Sequence, residues 1–228
     1  MATTPRAPAM ASPLPPAEAL RQHLLQGRGR LLVVLATGLV WAVDALLVRR
    51  IEGHHLVNHS YSALLSAMEQ LSTLAFLGVT LGLAIALYRA HHRSLLRWSL
   101  GYLMVAMVQV VANVVSMVGT ATGPKGDGLA SLWDVGAVYM ESVIVFTFIY
   151  VFLDLITPGG AFVWPSRDDE PAPMPHLIDY LFISLNVNST YGPTSEALVS
   201  RPAKLFMALQ VLLAILMLTV LIARTVNA

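Results

Sequence analysis

The chain of 228 residues is 56% hydrophobic and only 12% charged, with a formal net charge of +1. Soluble domains carry roughly 25% charged residues, so this composition excludes an ordinary water-facing globule, and so small a net charge gives no concentrated basic surface for nucleic acid. The absence of cysteine excludes disulfides, thiolate metal sites and cysteine nucleophiles.

In chain order, residues 1–30 read as a disordered or amphipathic N-terminal tail. Pro5, Pro8, Pro13, Pro15 and Pro16 stand among Ala, Ser and Thr, a composition that buries too little apolar surface to offset its ordering entropy. Arg21, Arg28 and Arg30 lead into the apolar run Leu31–Val48, which exceeds a usual signal core, lacks a small-residue cleavage site and reads as a retained anchor. A hydrocarbon core of about 30 Å needs roughly 20 apolar residues at about 1.5 Å rise each. Five segments meet that length: Leu31–Val48, Ala63–Tyr88, Leu95–Val118, Leu132–Leu155 and Ala203–Ala223. The expected fold is therefore all-α, a polytopic membrane protein with about five transmembrane helices. It is multi-pass in the cell membrane, and the lipid bilayer is its first partner. The connections between the first four segments are short, and that around Gly119, Gly123, Pro124, Gly126 and Gly128 reads as a turn.

Residues 156–202 differ. They open with Thr157-Pro158-Gly159-Gly160, pass through the polar, proline-rich stretch Trp164–Pro175, and turn apolar again over Ile178–Val187. About ten residues cannot cross a bilayer as a helix, and the length suits a re-entrant segment. An interfacial helix or a short strand in a loop are the alternatives.

Asp179, Phe182 and Ser184, the run Ser189-Thr190-Tyr191-Gly192-Pro193-Thr194-Ser195, Lys204, and the closing Leu221-Ile222-Ala223-Arg224 follow one another without a gap. This stretch, residues 179–226, resembles the pore region of the potassium-channel superfamily: pore helix, filter loop and inner helix. The resemblance implies a re-entrant pore helix and loop before the last transmembrane helix, with residues 132–228 as the pore-like region; residues 31–131, which carry no motif of the family, read from apolar length as a three-helix transmembrane region. It implies an ion pathway at Ser189, Thr190, Tyr191, Gly192, Pro193 and Thr194, supported by Asp179, Ser184 and Gln210. It further implies a homo-oligomer, a tetramer for a channel, with a monovalent cation as the permeant species. The filter departs from the family pattern. Tyr191 stands for the usual valine, Pro193 for the aromatic and Thr194 for the second glycine. Proline fixes φ near −65° and threonine resists positive φ, so an unchanged four-site stack of carbonyls is not expected, nor is potassium selectivity implied.

Ionisable groups within a bilayer cost about 2.5 kcal/mol or more at a helix centre, so each is a functional candidate. Asp44 is placed to pair with Arg49 or Arg50 at the interface, and Glu69 to bond between helices. Gln109, Asn113 and Ser116 share one face of the third segment, a pattern for hydrogen-bonded helix packing. Asp134 and Glu141 share a face of the fourth, and packing against Gln109 or Asn113 is favoured over a proton relay. Asp154 is expected at the interface. Gln210 and Thr219, nine apart, fall on opposite faces of the last helix, and Gln210 is assigned to bond the pore helix. His55 and His59 have i, i+4 spacing beside His54 and Glu52, but two spaced ligands do not make a zinc site; His91 and His92 read as a headgroup-contacting loop. No catalytic residue, metal or cofactor is expected.

Basic residues favour cytoplasmic loops. A cytoplasmic N-terminus puts ten Lys and Arg on its side (Arg6, Arg21, Arg28, Arg30, Arg89, Arg93, Arg97, Arg167, Arg201 and Lys204) against Arg49, Arg50, Lys125 and Arg224. Without residues 156–204 the bias is seven to four. This orientation conflicts with potassium channels, whose pore loop enters from outside. The leading functional expectation is a pore-loop cation channel subunit with an atypical filter, not an enzyme. Alternatives are a non-conducting membrane structural or partner protein retaining the channel-like fold, and a transporter or membrane enzyme using Glu69, Asp134 and Glu141, which the lack of an internal repeat disfavours.

Overall fold

The computed structural model describes residues 35, 37–42, 74, 77–86, 88–89, 92–121, 132–165, 174–189 and 197–226. The elements are α1 (Leu77–Ala86), α2 (His92–Ala121), α3 (Leu132–Ile156), β1 (Phe162–Val163), α4 (Leu177–Asn188), β2 (Ala197–Leu198) and α5 (Arg201–Val226). Among the described residues, three helical stretches are long and apolar enough to cross a membrane: Leu96–Val118, Trp133–Ile156 and Arg201–Ala223. They are the third, fourth and fifth expected segments. Helical residues 35 and 37–42 fall inside the first segment and 74, α1 and 88 inside the second, and the remaining positions of both lie outside the described residues. The tail, Asp44, Glu69, His54, His55, His59, His91 and Thr190–Thr194 lie outside them too.

Each boundary has a local cause. α3 stops where Pro158 cannot continue a helix, and Gly159 and Gly160 take φ of 81° and 91°, a region that other residues adopt only with strain. The Thr157 hydroxyl and amide both donate to the Leu153 carbonyl, closing the last turn. α4 follows Pro175 and starts at His176, whose backbone N–H donates to the Asp179 carboxylate at 2.7 Å. An acid in a first turn also suits the positive end of the helix dipole. α5 starts with Pro202 in its first turn, where a missing N–H costs nothing, and the Ser200 hydroxyl accepts from the Ala203 amide at 3.2 Å.

Helices α2, α3 and α5 pack pairwise, and α4 lies against both α3 and α5. Val110, Val114 and Met117 of α2, Val138 and Phe146 of α3, Ile183 and Val187 of α4, and Leu213 and Met217 of α5 are all buried. The Trp98 ring covers Gly82, where a Cβ would come within 2.4 Å of it, so α1 meets α2 at a glycine. Tyr102 of α2 donates to the Thr37 carbonyl at 3.4 Å, linking the third segment to the first.

β1 and β2 pair antiparallel, Phe162 opposite Leu198 and Val163 opposite Ala197. The Val199 amide adds a bond to the Ala161 carbonyl at 3.0 Å. This two-stranded clasp gathers the end of α3 and the start of α5, so these helices run in opposite directions. The whole segment containing α4 leaves and returns at one end of the bundle. Sequence reasoning gave no sign of the strands, since two residues each carry no periodicity.

Candidate functional site

The site is the seat in which α4 is held, and it has three levels. At the clasp end, Asp154 is 1% exposed. Its Oδ1 accepts the backbone amides of Ala161 at 2.5 Å and Phe162 at 3.1 Å, and its Oδ2 accepts the Tyr180 hydroxyl at 2.5 Å. The turn through Gly160 wraps so closely that a Cβ there would lie 3.0 Å from Oδ1. Around this carboxylate, Phe162 meets Tyr150, Trp164 and Tyr180, with centroids 5.7, 6.0 and 5.9 Å away. Asp154, which the sequence places at the end of its apolar run, is a buried carboxyl group joining the end of α3, the turn after it and the first turn of α4. The burial has a physical cause: the reversing turn brings backbone donors back onto the carboxyl group.

The middle level centres on Gln210, which is fully buried. Its Nε2 donates to the Ser184 carbonyl at 3.0 Å, the Ser184 hydroxyl at 2.9 Å and Asn188 Oδ1 at 3.2 Å. Its Oε1 accepts the Tyr150 hydroxyl at 2.5 Å. Ser184 in turn donates to the Val143 carbonyl at 2.7 Å. One amide thus ties α5 to α4 and α3, as the polar-residue spacing predicts for Gln210; Thr219 on the opposite face is exposed and bonds back to the Ile215 carbonyl.

The deepest level is the end of α4. The Asn188 amide lies 3.4 Å from the Tyr139 carbonyl, and the Ser142 hydroxyl lies 3.5 Å from Asn188 Oδ1. The Ser189 hydroxyl is 3.3 Å from that of Tyr139 and donates to the Leu185 carbonyl at 2.7 Å. Along α3, Asp154 to Val143 is about 16 Å and Asp154 to Tyr139 about 22 Å at about 1.5 Å per residue. α4 therefore begins at the clasp and ends well down the length of α3. Of the expected site residues, Asp179 caps α4, Ser184 and Gln210 bond to each other, and Ser189 closes the helix. Thr190, Tyr191, Gly192, Pro193 and Thr194 lie outside the described residues. Tyr139, Ser142, Tyr150, Asn188 and Asp154 complete the seat and were missed as members of it. The i, i+4 pair Ser184 and Asn188 on one face of a short apolar helix was the signal available.

Away from α4, the Asn113 side chain donates to Glu141 at 2.9 Å between α2 and α3, the packing expected for this carboxyl. Glu141→Gln keeps an acceptor for Asn113, and a change within about 1 kcal/mol is expected. Asn113→Leu removes a donor to a buried carboxyl and should cost about 1–3 kcal/mol. Thermal unfolding in detergent distinguishes the two variants.

No family model, curated protein or solved structure matches this chain.

Proposed function

We propose that the chain is the subunit of a pore-loop cation channel with an atypical filter, assembled as a homotetramer in the cell membrane. The observation that carries this reading is the position of α4: a 12-residue apolar helix wedged between two helices of membrane-crossing length, entering and leaving at the same end. Non-helical backbone at membrane depth is tolerated where protein surrounds it or where it lines a water-filled cavity. A helix of this length spans about 18 Å, and the eight steps from Ser189 to Ala197 reach roughly 26–29 Å, enough to return to the clasp. Ser189, Thr190, Tyr191, Gly192, Pro193 and Thr194 form the ion pathway in this proposal, with Asp179, Ser184 and Gln210 as positioning residues. α4 has an acid in its first turn and no base in its last, so its negative dipole end is free to favour a cation.

The outer faces of α4 and α5 fit an assembly. Ile178, Leu181, Phe182 and Leu185 form an exposed apolar stripe on α4. The apolar window of α5 is only 28% buried, against 61% for α3, which suits a helix that completes its packing on other copies. Purified protein in liposomes is expected to pass monovalent cations above the level of empty vesicles under potassium and sodium gradients. Absence of flux in both would remove the conducting reading. Pro193 and Thr194, poor residues for a carbonyl stack, favour the second reading, a non-conducting membrane structural or partner protein of the same fold. A monomer in mild detergent would support that one.

A further inference from the structure

We infer that the end of the bundle where α4 begins lies against the anionic, cytoplasmic leaflet, so that the α4 segment enters the membrane from the cytoplasm. The fold fixes which basic residues share that end. The Asn113–Glu141 bond joins α2 to α3; with the two helices taken as antiparallel across it, Arg97 stands about 24 Å along α2 and Asp154 about 20 Å along α3 on the same side. The clasp then brings the start of α5 to the same level. Arg89 and Arg97 before and within α2, and Arg201 and Lys204 in the first turn of α5, therefore gather at one end, and all four are exposed.

No described residue forms an ion pair with any of the four. The described carboxylates at this end are already engaged, Asp154 by Ala161, Phe162 and Tyr180 and Asp179 by His176. Neither α2 nor α5 has an acid in its first turn. Basic side chains beside two helix N-termini oppose the helix dipoles, an arrangement that external anions relieve. Anionic lipid headgroups are such anions, and the leaflet that carries the negative surface potential is the cytoplasmic one. Among the described residues of 92–226, the opposite end carries one basic residue, Arg224 in the last turn of α5.

The inference rests on membrane residence and not on conduction, so its test is separate from flux. The chain has no native cysteine, and single-cysteine variants report topology directly. Pro165→Cys marks the clasp end and Thr225→Cys the other, both at exposed positions. With a membrane-impermeant maleimide, Pro165→Cys is expected to be labelled in inverted vesicles and protected in right-side-out spheroplasts, and Thr225→Cys the reverse. Labelling of Pro165→Cys in spheroplasts, alone or together with Thr225→Cys, would overturn the inference. Combining Pro165→Cys with Arg89→Gln, Arg97→Gln, Arg201→Gln and Lys204→Gln should raise its labelled fraction in spheroplasts at least several-fold. An unchanged fraction would contradict the assignment of these four residues to the anionic leaflet.

Discussion

Gln210→Leu is expected to destabilise the protein by about 2–5 kcal/mol and, under the proposed channel function, to abolish flux. The substitution leaves the Tyr150 hydroxyl without its acceptor, and a buried polar group so orphaned costs about 1–3 kcal/mol; it also removes the donor that the Ser184 carbonyl has besides its own helix bond. The Ser184 hydroxyl retains Val143, so it adds little. Tyr150→Phe removes one end of the same network. The double variant should therefore fall short of the sum of the single effects by about 0.5–3 kcal/mol, the range for residues that share a hydrogen bond. Gln210→Glu should be no milder, since it replaces the donor facing the Ser184 carbonyl with an oxygen and invites burial of a charge. Thermal or denaturant unfolding in a fixed detergent measures all four. Additivity of Tyr150→Phe and Gln210→Leu would show that the amide does not link α5 to α3 as described.

Asp154→Ala is the second large effect expected, at about 3–5 kcal/mol. The carboxylate receives two backbone amides and a hydroxyl, and hydrogen bonds to a charged group contribute about 1.5–3 kcal/mol each, though not additively. Asp154→Asn should be intermediate, because one amide oxygen can still accept while the NH2 faces a donor. Tyr180→Phe, which loses only the bond to α4, should cost about 1.5–3 kcal/mol and leave the turn through Gly160 in place. Limited proteolysis between Pro165 and Met174 separates the cases. Cleavage should accelerate strongly for Asp154→Ala and weakly for Tyr180→Phe; equal protection of both variants would remove Asp154 as the anchor of the clasp.

The long helices were legible in the sequence because a bilayer imposes a length, and runs such as Leu132–Leu155 meet it. Gln210 was legible as well: a lone strong polar group in an otherwise apolar last helix must find a partner, and the short helix before it was the nearest candidate. Asp154 was not. Its partner Tyr180 is distant in sequence, and a carboxylate ending an apolar run names no partner. Only the following Pro158-Gly159-Gly160 hints that the chain doubles back to cover it. Tyr139 and Tyr150 were missed for a related reason. An aromatic in a membrane helix reads equally well as facing lipid, and its hydroxyl declares a partner only when three helices are brought together. The extra turns on α2 and α5 beyond their apolar runs were hidden too, because capping by Ser200 and Pro202 extends α5 past what hydropathy marks.

The central claim is that α4 descends into the bilayer instead of resting on its surface. Nitroxide labels at Ile178→Cys, Phe182→Cys and Leu185→Cys, all on the outward face of α4, test it through oxygen and nickel accessibility in liposomes. The account predicts depth increasing from Ile178 to Leu185 by up to about 10 Å, at about 1.5 Å per residue. Equal, shallow depths at the three positions would contradict it.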